Sequence, residues 1–205
     1  MTDQPHAKTQ DRPSHTARGV LFTLALSPTK AVIAIAIGAV AGAFVLARVD
    51  DAAPWASAAL ALALAWSAMI DIDRFRLPDL LTLPMIAGGL LYWTLVGPSQ
   101  APHHLIGAAA GYLSLVLVAE LYRLVRKRDG LGRGDAKLMA AAGAWLGWKV
   151  LPFVVLAGSI GALLLIATLA MIRGRAALSR PIPFGPFIAG AFWILWVARP
   201  WPLAL

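Results

Sequence analysis

The chain of 205 residues contains no cysteine, which excludes disulfides, thiolate zinc sites, iron–sulfur clusters and cysteine nucleophiles. Charge is scarce: Asp, Glu, Lys and Arg make up 14% of the residues, against about 25% in a soluble domain. Period-two alternation of apolar and polar residues is absent, which argues against a membrane barrel. What fills the chain is apolar, with 60% hydrophobic residues and a mean hydropathy of +0.73. Disorder is thereby excluded, and a water-soluble globule is disfavoured. Basic residues outnumber acidic ones 18 to 10. In so apolar a chain that excess reports membrane topology before nucleic-acid binding, and no nucleic-acid partner is expected.

Seven uncharged stretches follow one another: 31–47, 52–70, 80–97, 105–119, 138–148, 150–172 and 181–198. Lipid offers no hydrogen-bond partners, so such stretches must be helices. The expected fold is an all-α, polytopic bundle of about seven transmembrane helices. Residues 1–30 read as a polar cytoplasmic tail, and residues 31–205 as one membrane-embedded domain. The stretch 138–148 is the exception in length, rising only about 16 Å against roughly 30 Å of hydrocarbon. It either crosses as a short or tilted helix extended by Asp135–Lys137, or re-enters. If it crosses, fifteen of the 18 Lys and Arg residues fall on the inner side with the N-terminus cytoplasmic. Trp55, Trp93, Trp148, Trp196 and Trp201 then fall near outer span ends, as an interfacial belt would. Gly38/Gly42, Gly107/Gly111 and Gly143/Gly147 have the spacing that lets helix backbones approach closely; a generally Ala- and Gly-rich bundle explains them as well.

The ten acidic residues sort by position. Asp3, Asp11, Asp50 and Asp51 read as solvated charges. Glu120, close to Arg123 and Arg126, reads as a snorkelling ion pair. The other five sit in two inner loops, one holding Asp71, Asp73 and Asp79, the other Asp129 and Asp135. Ionisable groups at a bilayer boundary are costly and are functional candidates by default. Asp79 follows Pro78 and has the position of a helix N-cap. Asp135 has the same structural explanation, but Gly132 and Gly134 beside it permit unusual backbone conformations and close approach. Asp71 ends a span where the helix dipole disfavours a carboxylate, so capping does not explain it. Asp73 reads as the solvated member of that pair. Two carboxylates brought together can share a proton, one acting as base on water and the other as acid on the scissile carbonyl. Helix-terminus effects alone would leave Asp135 the base and Asp71 the acid. His6 and His15 read as tail residues and His103 and His104 as an outer loop, so no metal site is expected.

Residues 70–84 (Ile-Asp-Ile-Asp-Arg-Phe-Arg-Leu-Pro-Asp-Leu-Leu-Thr-Leu-Pro) resemble the first motif of the bacterial type IV prepilin peptidases. Residues 130–147, opening Gly-Leu-Gly-Arg-Gly-Asp-Ala-Lys-Leu, resemble the second, the Gly-x-Gly-Asp motif and the helix after it. Pro183-Phe-Gly-Pro186 resembles a third segment, before the last helix. The resemblance implies a multi-pass aspartyl endopeptidase of the bacterial inner membrane. It would cleave the basic leader of prepilins or pseudopilins at the cytoplasmic face, just after a glycine. Asp71 and Asp135 match the catalytic pair, while Asp73, Asp79, Gly132, Gly134 and Lys137 match supporting motif positions. No cofactor is implied. Longer members carry a zinc-binding region with paired cysteines and many methylate the new N-terminus; this cysteine-free chain departs from them, which leaves its N-methylation undecided.

Three other readings compete. A small transporter or channel subunit would use the carboxylates as a proton relay and predicts them at mid-membrane. An intramembrane protease of the presenilin or signal-peptide-peptidase kind shares Gly-x-Gly-Asp, but its Tyr-Asp and Pro-Ala-Leu motifs are absent. A non-catalytic scaffold of a secretion machine would tolerate loss of either aspartate.

Overall fold

The computed structural model describes residues 26–48, 54–127, 132–174 and 182–198. These form seven α-helices: α1 (Pro28–Arg48), α2 (Pro54–Arg74), α3 (Asp79–Val96), α4 (Ala101–Arg126), α5 (Arg133–Leu146), α6 (Leu151–Arg173) and α7 (Gly185–Val197). A 3-10 turn, Trp148–Val150, leads into α6. Each helix grows from one of the seven uncharged stretches, as lipid requires. The segments Pro54–Arg74, Asp79–Val96, Ala101–Arg126 and Trp148–Arg173 are long and apolar enough to cross a membrane, and Pro28–Ala43 and Gly185–Val197 are shorter apolar helices. The chain is thus an all-α membrane helix bundle. Of the expected tail, residues 1–25 lie outside the described residues, and α1 already begins at Pro28.

Helix α5 sits at the centre. Its 14 residues rise about 21 Å, less than the hydrocarbon thickness. Ten of those residues are buried, so protein rather than lipid surrounds it. It runs beside α3, from an ion pair of Lys137 with Asp79 at one end to a bond from Trp93 Nε1 to the Trp145 carbonyl (2.8 Å) at the other. The helix is extended through Asp135–Lys137, as one of the two sequence readings required.

The glycine pairs all lie at helix contacts. A Cβ added at Gly143 would fall 2.0 Å from the Gly107 carbonyl oxygen, and one at Gly111 would fall 2.4 Å from that of Met139. Backbones of α4 and α5 therefore touch, which only residues without a Cβ permit. Gly38 meets Leu62, and Gly42 meets Ala58, seating α1 on α2. Gly147 ends α5 with φ +78°, a positive-φ conformation that favours glycine.

Two expectations about this end of the bundle need correction. Trp93 and Trp196 do not form an outward belt. Trp196 is buried and donates from Nε1 to the Ser57 hydroxyl (2.9 Å), and both rings join Tyr92 and Trp145 in an aromatic cluster. Their N–H groups found protein acceptors, leaving Trp93 half-buried and Trp196 buried. Trp55 and Trp148 are exposed as expected, and Trp201 lies outside the described residues. Nor are His103 and His104 a surface loop: both lie in the first turn of α4. His104 is buried, stacked on Trp93 with centroids 4.1 Å apart, its Nδ1 3.1 Å from the Ala144 carbonyl.

Candidate active site

The opposite end of the bundle gathers the carboxylates. Asp71 lies in the last turn of α2 and is 5% exposed. The backbone N–H of Gly185, at the start of α7, donates to its Oδ2 at 3.0 Å. An added Cβ at Gly185 would fall 2.5 Å from that oxygen, so the contact exists only because the residue is glycine. Helix α2 ends just beyond, where Phe75 adopts a left-handed conformation (φ 52°) and its N–H bonds the Asp71 carbonyl at 2.8 Å. The chain then turns through Leu77, which is buried between two glycines. A Cβ at Gly134 would fall 2.8 Å from Leu77 Cβ, and one at Gly185 would fall 3.3 Å from Leu77 Cδ1. Leu77 thereby draws the end of α2, the start of α5 and the start of α7 together.

Asp135 occupies the first turn of α5, outside the four long apolar segments, and is 8% exposed. Its carboxyl is pushed up to about 7. Burial is the larger cause and the charge of neighbouring Asp71 the second, with the Gly132 backbone N–H pulling partly back. The helix-terminus effect, roughly 0.3–1 kcal/mol in favour of ionisation, is the smaller influence here.

The remaining motif residues have structural partners. Asp79 is not the N-cap of α3: Pro78 holds that position, no side chain caps the helix, and Asp79 pairs instead with Lys137 of α5. Asp73 is not merely solvated but pairs with Lys30 of α1. Each of these pairs reaches a residue two positions from one of the buried aspartates. Gly132 precedes α5 with an ordinary φ of −71°, and the positive-φ glycines among the described residues are Gly147 and Gly174. No unusual backbone is therefore needed at Gly132 or Gly134. The close approach is needed at Gly134 alone, since a Cβ at Gly132 would make ordinary contact at 3.5 Å. Glu120 and Arg123 form the expected exposed pair at 2.5 Å. Asp129 lies outside the described residues. Among the described residues no cluster of three or more His, Asp or Glu side chains could hold a metal ion.

Sequence reasoning missed three contributors: Gly185, Leu77 and Lys30. The Pro183–Pro186 segment carried a signal for Gly185, though without a role. Nothing in the sequence singled out Leu77, and Lys30 fell on the wrong side of the tail boundary.

A sequence profile of the type IV leader peptidase family matches residues 58–167, a span holding both buried aspartates but not Gly185. The prepilin leader peptidase/N-methyltransferase of Aeromonas hydrophila is 46% identical over 129 residues, covering 62% of this chain and 44% of its own. The protein of the same name from Burkholderia pseudomallei (strain 1026b) is 44% identical over 179 residues, covering 84% and 56%. Leader peptidase HopD of Salmonella typhimurium is 42% identical over 124 residues, covering 60% of this chain and 80% of that one. The chain spans about half the length of the first two relatives. No solved structure matches. With both motifs inside the matched span and their carboxylates gathered at one end of the bundle, the chain belongs to the type IV leader peptidase family.

Proposed function

We propose that the chain is an aspartyl endopeptidase of the bacterial inner membrane that removes leader peptides from type IV prepilins or pseudopilins at the cytoplasmic face. The observation that carries this reading is the burial of Asp71 and Asp135 at helix ends that Leu77 and Gly185 draw together, with the charge of Asp71 among the causes that raise Asp135. Such a pair holds one proton between its members. The ionised carboxylate takes a proton from water as that water attacks the scissile carbonyl. The protonated carboxyl donates to the carbonyl oxygen, and a proton passes to the leaving amine as the tetrahedral intermediate collapses. The names of the relatives support prepilins as the substrate class. The inward excess of basic residues supports the cytoplasmic side. A proton relay through a transporter is the weaker reading, because both carboxylates sit in terminal turns of their helices rather than midway along them.

The test is co-expression with prepilins from the same genome, following leader removal by gel shift, with mass spectrometry of the new N-terminus. A smaller product that Asp71→Ala and Asp135→Ala both abolish supports the reading. An unshortened prepilin with the intact chain refutes it, and an unmodified new N-terminus would show peptidase action without methylation.

Two further outcomes arise from the geometry. Because Asp135 is raised to about 7, its proton stays on below that pH and leaves above it. Cleavage needing one shared proton should therefore decline as pH rises from 6 to 8.5, readable in a pH series of initial rates. Gly185→Ala would force its Cβ against Asp71 Oδ2, 2.5 Å away. Displacement of a catalytic group by about 1 Å lowers rates on the order of a hundredfold, so kcat should fall that far in a protein that still folds.

A further inference from the structure

Asp135 and Lys137 both lie at the start of α5, which opens Arg-Gly-Asp-Ala-Lys. Residues two apart on a helix are turned about 200° from each other around its axis, so their side chains leave α5 on opposite sides. Asp135 is buried, with the charge of Asp71 acting on it. Lys137 reaches the other way, to Asp79 in the first turn of α3. Asp71 and Asp79 in turn sit at the two ends of the connection from α2 to α3. Within that connection Leu77 packs on Gly134. The ion pair therefore closes a frame. One chain segment runs from Asp71 to Asp79, the other from Lys137 to Asp135, and both carboxyls lie inside.

Local preference does not account for Lys137. It stands between Ala136 and Leu138, both buried, and a charge at such a place is costly to hold. The helix dipole favours cations at the far end of α5 and acids at its start. Nor is stability the explanation, since the pair is partly open to solvent and such pairs contribute little. What the pair fixes is orientation. Turning α5 about its axis would move Asp135 off Asp71 and pull Lys137 from Asp79 in one motion. The backbone contacts of α5 with α4 at Met139 and Gly143, and the bond from Trp145 Nε1 to the Met85 carbonyl (2.8 Å), lie further along the helix. By contrast, the pair of Arg123 with Glu120 joins two residues of one helix and fixes nothing between helices.

We infer that Lys137 and Asp79 are positioning residues that act as one: their ion pair sets the rotation of the start of α5, and so the aim of Asp135 at Asp71. The inference rests on the peptidase reading and deepens it. Neither residue touches substrate; both act through the orientation of Asp135.

The experiment uses the full chain purified in lipid nanodiscs with a prepilin as substrate. The variants are Lys137→Met, Asp79→Asn and the two together, with Arg123→Ala as the control that breaks the other pair. Kinetics give kcat and KM, and tryptophan fluorescence gives the unfolding midpoint. Each single variant should lower kcat about tenfold, with KM and midpoint unchanged, as expected for a misaimed catalytic group. The double variant should be no worse than either single one, because all three break the same pair. Arg123→Ala should keep the wild-type kcat. Losses that multiply in the double variant would mean that the two residues act separately, and this overturns the inference. So does a raised KM at constant kcat, which would place the pair on the substrate, and so does a kcat loss that only follows a fallen midpoint. Should Lys137→Met fail to fold, Asp79→Asn decides: a lowered kcat with steady KM and midpoint supports the inference, and wild-type kcat overturns it. Wild-type turnover in Asp79→Asn alongside a dead Asp71→Ala enzyme defeats this inference alone. An inactive wild-type chain defeats the peptidase reading, and the inference falls with it.

Discussion

Replacing either Asp71 or Asp135 by Asn is expected to lower the rate of leader removal by about a thousandfold or more, since a positioned acid or base contributes on the order of 10²–10⁴. Asn keeps the shape of the side chain but can neither take the proton from water nor give one to the carbonyl. The two losses should not multiply. A pair that shares one proton works as a unit, so the double variant should be scarcely worse than either single one. The structure supports near-normal folding of these variants. Burial raises the cost of the charge at Asp135, so removing it relieves rather than adds strain. The measurement is a single-turnover cleavage assay across the two single variants and the double. Multiplicative losses would mean that the carboxylates act independently, and full activity in either single variant would refute a catalytic role for that aspartate.

The largest expected effect on stability lies at the contact of α4 with α5. Gly143→Ala would place a Cβ 2.0 Å from the Gly107 carbonyl oxygen, 2.3 Å from its carbon and 2.8 Å from the Ala108 nitrogen. All three are backbone atoms and cannot swing aside as a side-chain tip can. Overpacking in a close-packed interior ordinarily costs about 1–3 kcal/mol, occasionally more, and this rigid contact belongs at the upper end. Helices α4 and α5 must separate to relieve it, and α5 carries both Asp135 and the centre of the core. Gly143→Ala should therefore unfold at a markedly lower temperature and lose cleavage activity together with stability. Gly190→Ala is the control. Nothing lies within 4 Å of its added Cβ, and alanine within a helix is favoured over glycine by roughly 0.5–1 kcal/mol. Thermal unfolding followed by tryptophan fluorescence separates the two: a fall for Gly143→Ala and no change or a small rise for Gly190→Ala.

These contacts also show where sequence reading stops. Spacing alone marked Gly107, Gly111, Gly143 and Gly147 as able to admit a neighbouring backbone, but it could not say whether one was there. Tryptophan near a span end is equally at home at the membrane surface and in the core. For Trp196 the deciding fact is the Ser57 hydroxyl waiting across the bundle, which is 139 positions away in the chain. Asp79 met every local requirement of an N-cap, yet Lys137 offered it an ion pair from another helix. In each case a partner distant in sequence overrode a sound local preference.

Local chemistry determined the helices themselves. An uncharged apolar run in lipid has to satisfy its own backbone, so seven such runs became seven helices, and the scarcity of acidic residues made Asp71 and Asp135 conspicuous. What the tertiary structure decided is everything that depends on a meeting between helices. It set α5 inside the bundle rather than along its rim. It also brought Gly185 to Asp71 and wedged Leu77 between Gly134 and Gly185. The reason is physical: a backbone hydrogen bond within a helix joins residues four apart, whereas burial of a carboxyl and the close passage of two backbones are properties of surfaces that exist only after the chain has packed.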